Sequence, residues 1–169
     1  MTVIIAVASK HGATTKVGEA IAEELAGRGI EADVFDVSAV SGLDRYSAVV
    51  LGSAVYMGRL MPQMRRFAEE NQAALRAKTV WAFASGPIGD PPKPSGDAPG
   101  LLTLAEEVGA VGVRTFAGRL APDGLGFKER LVVKVVHAQT GDFRDWDGIA
   151  AWAAEIAESL RQPAIPAIA

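Results

Sequence analysis

The order of apolar and turn segments predicts an α/β fold, with a parallel sheet covered by helices on both faces. Three observations carry that prediction. Residues 3–7, Val-Ile-Ile-Ala-Val, form an unbroken apolar run, as a strand buried on both faces does. Strand-like and helix-like segments then alternate along the chain, the pattern of parallel strands joined by crossover helices. Finally, three of the strands end in loops of small or polar residues: Ser9–Thr15, Ala54–Gly58 and Ser85–Asp90.

Taken in order, the first strand gives way at Ser9 to a turn. Val17, Ala20, Ile21 and Leu25 then recur at helical spacing until Gly27 or Gly29 stops the helix. Residues 30–36, IEADVFD, alternate as a second strand. Residues 37–45 form a loop with room for one helical turn at most, which is short for a full crossover. Tyr46–Ser53 reads as a central strand, followed by a turn over Ala54–Gly58. Residues 59–75 read as a helix with Leu60, Met64, Phe67 and Ala68 on one face and Pro62 in its first turn, where proline is tolerated. Residues 79–84, TVWAFA, form a fourth strand with Trp81 and Phe83 in the core. Pro91, Pro92, Pro94 and Pro99 make the next stretch a long loop. A short helix over 99–109, a fifth strand over 110–117 and a last helix over 145–161 follow, with Asp142 or Asp145 as the cap of the last. One domain is expected over residues 1–162, with a frayed tail over 163–169.

In an open parallel sheet, ligands bind beyond the carboxyl ends of the strands, where the strand order reverses. The three loops would meet there. In the first, Gly12 lets the backbone approach a ligand, and Ser9, Thr14 and Thr15 offer hydroxyls beside free helix N–H groups. That loop can hold a phosphate; equally, it can be a helix start capped by Ser or Thr. The second and third loops can flank a flat ring, their glycines bringing backbone N–H and C=O groups to its edge. Rival phosphate motifs are missing: there is no G-x-x-x-x-G-K-[ST], and no G-x-G-x-x-G follows a strand. Ala8-Ser9 and Ser53 stand where a receiver domain needs acidic residues, and no G-x-S-x-G elbow occurs. No side chain in these loops is an evident general acid or base, so no catalytic residue is named.

Composition removes other classes. A net charge of −3 carries no nucleic-acid footprint. The chain has no cysteine, which excludes disulfides, thiol nucleophiles and iron–sulfur clusters. His11 and His137 are its only histidines and make no zinc set, so no metal is expected. No apolar run approaches the roughly 20 residues that span a bilayer. The expectation is a cytoplasmic monomer or homodimer, with peripheral contact at the inner face of the membrane left open.

Almost the whole chain resembles the flavodoxin family. Within it, the chain is most similar to the bacterial subgroup that contains the menaquinone-dependent protoporphyrinogen dehydrogenases. Three stretches carry the resemblance: SKHGATT, LGSAVYMGRLMPQMRRFAEEN and AGRLAPDGLGFKERLVVKVVHAQTGDFRDWDGIAAWAAEI. The last is the most specific, because ordinary short flavodoxins lack the segment between the fifth strand and the last helix. The resemblance implies a three-layer sandwich around a five-stranded parallel sheet of order 2-1-3-4-5, with flavin mononucleotide (FMN) as cofactor. The FMN phosphate would lie on Ser9, Lys10, His11, Gly12, Ala13, Thr14 and Thr15. Its ring would lie between Ala54, Val55, Tyr56, Met57 and Gly58 on one side and Ser85, Gly86, Pro87, Ile88 and Gly89 on the other. Met57 stands where the subgroup often has an aromatic residue, with Tyr56 one place earlier, and either can stack on the ring.

The segment from Arg119 to His137 reads two ways. It is a local cover over the sheet edge, or a docking surface for a quinone or an anionic tetrapyrrole whose propionates would meet Arg119, Lys128 and Arg130, with Arg59 beside the second loop doing the same. Two functions follow. One is an FMN-dependent oxidoreductase of the protoporphyrinogen–quinone type. The other is a flavodoxin-type carrier that shuttles electrons between partner proteins. Carriers ring the flavin with acidic residues; here the second loop has none, and residues 85–98 hold only Asp90, Asp97 and Lys93. That balance favours the enzyme.

Overall fold

The computed structural model describes residues 1–86, 96–120, 141–142 and 144–162. Strand β1 spans Thr2–Ala8, β2 Glu31–Asp36, β3 Ala48–Tyr56, β5 Thr79–Ser85 and β6 Gly112–Phe116; the short β4, Arg59–Leu60, lies between β3 and β5 in sequence. The sheet order is β2-β1-β3-β5-β6, all parallel, with β4 added antiparallel to the end of β3. Apart from β4, this is the order the resemblance implies. Helices α1 (Ala13–Gly27), α2 (Pro62–Glu70), α3 (Gln72–Arg76), α4 (Pro99–Val108) and α5 (Trp146–Arg161) connect and cover it.

The two-residue period of a strand sorts the core into two halves. Val3, Ile5 and Val7 of β1, with Val50, Trp81 and Phe83, pack under Val17, Ile21 and Leu25 of α1 and Ile149, Trp152 and Ile156 of α5. Ile4, Ala6 and Ala8, with Val49, Leu51 and Ala82, face the other way, onto Met64 and Phe67 of α2 and Leu101, Leu104 and Val108 of α4. Both faces are therefore covered, which is why β1, β3 and β5 are continuously apolar while the edge strand β2 is only half-buried. Trp81 and Phe83 are core residues as expected; Trp152 packs edge-to-face on Phe83 and Phe116, which lie tilted to each other, with ring centres 5.7–6.1 Å apart.

Local departures from the sequence reading have local causes. The short link after β2 is a single 3-10 turn, Val37–Ala39, started by Asp36, whose carboxylate accepts the Ser38 amide at 2.9 Å. The helix expected over 59–75 breaks into α2 and α3 at Asn71, whose side-chain amide donates to the Phe67 carbonyl at 2.9 Å and so competes with the helical ladder. Asp145, not Asp142, caps α5, accepting from the Gly148 amide at 3.0 Å. Asp142 instead belongs to β8, Gly141–Asp142, which pairs antiparallel with β7, Arg119–Leu120. The rest of the 119–137 segment and the 163–169 tail lie outside the described residues.

Candidate functional site

The strand register aligns the carboxyl edge. Ala8, Ser53, Ala84 and Thr115 form one row across β1, β3, β5 and β6. The first and third loops leave the sheet at or just beyond that row, with β3 between them, so the sheet brings the starts of the three predicted loops side by side.

The first loop is shorter than the sequence suggests. Ser9, Lys10, His11 and Gly12 join β1 to α1, whereas Ala13, Thr14 and Thr15 already lie in the first helical turn. The side-chain capping reading is wrong. The N-cap is Gly12, with φ of 80°, and no side chain caps the helix. A backbone left-handed at this point suits glycine, and nothing lies within 4 Å of where its Cβ would be. The first intrahelical bond runs from the Lys16 amide to the Gly12 carbonyl at 3.1 Å. The amides of Ala13, Thr14 and Thr15 precede it and have no partner within the helix. No acidic residue occupies the first turn to answer them. Thr14 is buried, Ser9 half-buried, and Lys10 and His11 are exposed.

The second loop also differs from its prediction. Ala54, Val55 and Tyr56 are not turn residues; they extend β3 past the row, as β-branched and aromatic side chains favour. Met57 and Gly58 alone make the turn, with φ of 51° and 76°. Tyr56 and Arg59 pair across it, so this is a two-residue hairpin whose positive φ values match the twist of the strands. Three hydrogen bonds fix its direction. The buried Ser53 hydroxyl donates to the Ala54 carbonyl at 2.9 Å and accepts from the Met61 amide at 3.0 Å. The Gly58 carbonyl accepts from the Gly100 amide at the start of α4, at 3.3 Å. The tip presents apolar surface: Met57 is 86% exposed and Tyr56 44%. Partial burial raises the Tyr56 pKa above its ordinary value. Arg59 is exposed on β4.

The third loop begins at Ser85, which is buried, and Gly86, whose amide donates to the Phe116 carbonyl at 2.9 Å. A Cβ on Gly86 would lie 3.2 Å from the Val55 carbonyl oxygen, so this loop starts tight against β3. Near its far end, Asp97 accepts from the Thr115 hydroxyl at 2.5 Å. Pro87, Ile88 and Gly89 lie outside the described residues, as do Lys128, Arg130 and His137; Arg119 is described in its backbone alone.

One neighbour of the site went unread in the sequence. Arg144 donates to the Ala13 carbonyl at 3.4 Å and lies over the Trp146 ring, 4.5 Å from its centre. Nothing around Arg144 in the sequence marks it. Only the packing of α5 against α1 brings it to the first loop. Among the described residues, no group of three His, Asp or Glu side chains could hold a metal, and no helix is long and apolar enough to cross a membrane.

Solved structures share the fold. A flavodoxin from the domain Archaea superposes with a TM-score of 0.66 at 17% identity, over 96% of this chain and 100% of its own. Flavodoxin 1 from Bacillus cereus gives 0.61 at 16% identity, over 94% and 98%. The rubredoxin oxygen:oxidoreductase of Desulfovibrio gigas gives 0.67 at 15% identity; there 95% of this chain matches only 36% of the other. No curated protein sequence matches. The flavodoxin domain family model matches residues 4–147, most of the chain, and the protein belongs to that family.

Proposed function

We propose that the protein binds FMN at the carboxyl edge and acts as an oxidoreductase of the protoporphyrinogen–quinone type. The observation that carries the cofactor reading is the uncapped start of α1. Three successive amides without helical partners, with no acid in the first turn, are a donor set that an anion completes. The neighbouring hairpin supplies what a flat ring needs beside that anion, an exposed Met57 and a half-exposed Tyr56 next to the backbone of Gly58. Bound FMN would supply the redox chemistry, and the protein would supply position and electrostatics. Ser9–Gly12 and the first turn of α1 would hold the phosphate. Ala54–Gly58 and the start of the third loop would hold the ring.

Support for the substrate class is the exposed Arg59 next to the ring position and the cationic Lys128 and Arg130, which lie in sequence between β7 and β8. Cationic groups there suit the carboxylates of a tetrapyrrole. Peripheral contact with anionic lipid would follow from the same charges and fade with salt. Two measurements test the proposal. Titration with FMN should give a saturable complex, and absence of binding overturns the cofactor reading. The FMN-loaded protein should then turn over protoporphyrinogen with menaquinone as acceptor. FMN binding without turnover would leave the cofactor reading standing and replace the enzyme by a carrier between partner proteins.

A further inference from the structure

Exposed arginines gather at the hairpin tip and the start of α2. Arg59 lies directly opposite Tyr56 across the hairpin, so the two side chains share one face beside the exposed Met57. Only Met61 separates β4 from α2, and its amide is tied back to Ser53. Arg65 and Arg66 follow within the first turn and a half of that helix, and Arg59, Arg65 and Arg66 are all exposed. Among the described residues, none of the three forms an ion pair.

The charges on α2 run against the helix that carries them. Arg65 closes its first turn, near the positive end of the dipole, while Glu69 and Glu70 end it at the negative end. Arg65 with Glu69 and Arg66 with Glu70 have helical spacing, but with arginine first, the weaker order, and neither pair forms. Helix stability favours the opposite arrangement, so the cationic end of α2 is not explained by the fold. It is also a local reversal of sign on a chain whose net charge is −3, and such a patch orients an approaching molecule.

We propose that Tyr56, Met57, Arg59, Arg65 and Arg66 form a docking surface for a protein partner whose matching face is acidic. Tyrosine, methionine and arginine are the residue types enriched where proteins meet. Charge complementarity selects an acidic face and speeds its approach. A bilayer fits less well. Three arginines fall short of the roughly four to eight cationic residues that recognise an anionic membrane. Glu69 and Glu70, exposed on the same helix, repel an extended anionic plane, whereas a protein can set a cation against them. The proposal goes beyond the cofactor reading and needs only the folded hairpin and α2. Where that reading holds, the partner sits beside the ring.

The test measures binding of the full chain, with and without FMN, to two small carrier proteins of opposite charge, an acidic plant-type ferredoxin and the basic cytochrome c. Wild type should bind ferredoxin the more tightly, and added salt should weaken the complex. R65E/R66E should slow ferredoxin association about tenfold and shift the preference toward cytochrome c. FMN affinity should not change, since neither residue lies in the three loops. No ferredoxin binding, binding no tighter than that of cytochrome c, or ferredoxin binding that R65E/R66E leaves intact overturns the proposal. Mixed phosphatidylcholine–phosphatidylserine vesicles are run alongside. Vesicle binding that the double variant abolishes, without ferredoxin binding, assigns the patch to a membrane and also overturns it. Failure of FMN to bind brings down the cofactor reading alone, because docking is measured on the apoprotein as well. Thermal unfolding checks the fold. R65Q/R66Q should be at least as stable as wild type, having lost the charges that oppose the dipole, and it carries the comparison if R65E/R66E does not fold.

Discussion

Met57 holds a left-handed backbone, φ of 51°, and exposes 86% of its side chain at the hairpin tip. Both features oppose stability: a non-glycine residue in that region costs roughly 1–2 kcal/mol, and a large apolar side chain gains nothing from burial there. Strain of this kind, in the turn proposed to face the flavin ring, would be kept for contact. Met57→Asn creates Asn-Gly, the favoured pair for such a turn. It should raise the urea midpoint by about 0.5–1 kcal/mol of stability, since asparagine tolerates the conformation, while weakening FMN binding. Tyr56 adds a pH prediction. Burial holds its pKa above the ordinary value, so the folded protein resists phenolate formation and the unfolded chain does not. This effect costs nothing below the unfolded tyrosine pKa and lowers stability as pH rises from that value toward the folded one. Tyr56→Phe should flatten that alkaline loss in denaturant titrations; an unchanged profile would assign the loss to other groups.

At the scale of elements, the parallel sheet was legible because burial on both faces forces continuous apolar runs, and β1, β3 and β5 have them. The edges of elements were less legible. Thr14 and Thr15 read as loop because hydroxyl residues are common in turns; Gly12, with its positive φ, is what starts the helix one residue later. Ala54–Tyr56 read as a turn because small residues and Gly58 follow the core run; the strand continues because β4 pairs with it. Ser53 shows why pairing was invisible: its partner, the Met61 amide, lies eight positions on and is brought back only by the hairpin. Ser53→Ala would leave that part-buried amide without its acceptor, at a cost of about 1–3 kcal/mol. It should also loosen the hairpin, so FMN affinity should fall together with the unfolding midpoint. Arg144 was illegible for a similar reason, since helix-to-helix packing creates its neighbourhood.

For the molecule as a whole, stability and the proposed phosphate binding fall at different ends of the same helix. Leu25 is fully buried near the C-terminus of α1, in the core half shared with α5, whereas Gly12 starts the helix at the carboxyl edge. At 1.5 Å per residue the two lie roughly 20 Å apart along the helix. Effects at such separation add with little coupling. Leu25→Ala removes a buried side chain and should cost about 2–5 kcal/mol. Gly12→Asp places a carboxylate beside the three amides that lack helical partners, in a spot with open space around it; it should change apoprotein stability far less, because aspartate is among the residues that tolerate a left-handed backbone. Ligand linkage makes the two distinguishable in one experiment. FMN at about 100 times its Kd should stabilise the wild type by roughly 2.7 kcal/mol, as any ligand specific to the folded state does. Leu25→Ala should keep that increment on a lowered baseline. Gly12→Asp should keep the baseline and lose the increment, because its charge repels the phosphate. If both variants lost the increment equally, flavin would depend on the global packing of α1 and not on its N-terminus, and the placement of the phosphate on the first loop would be wrong.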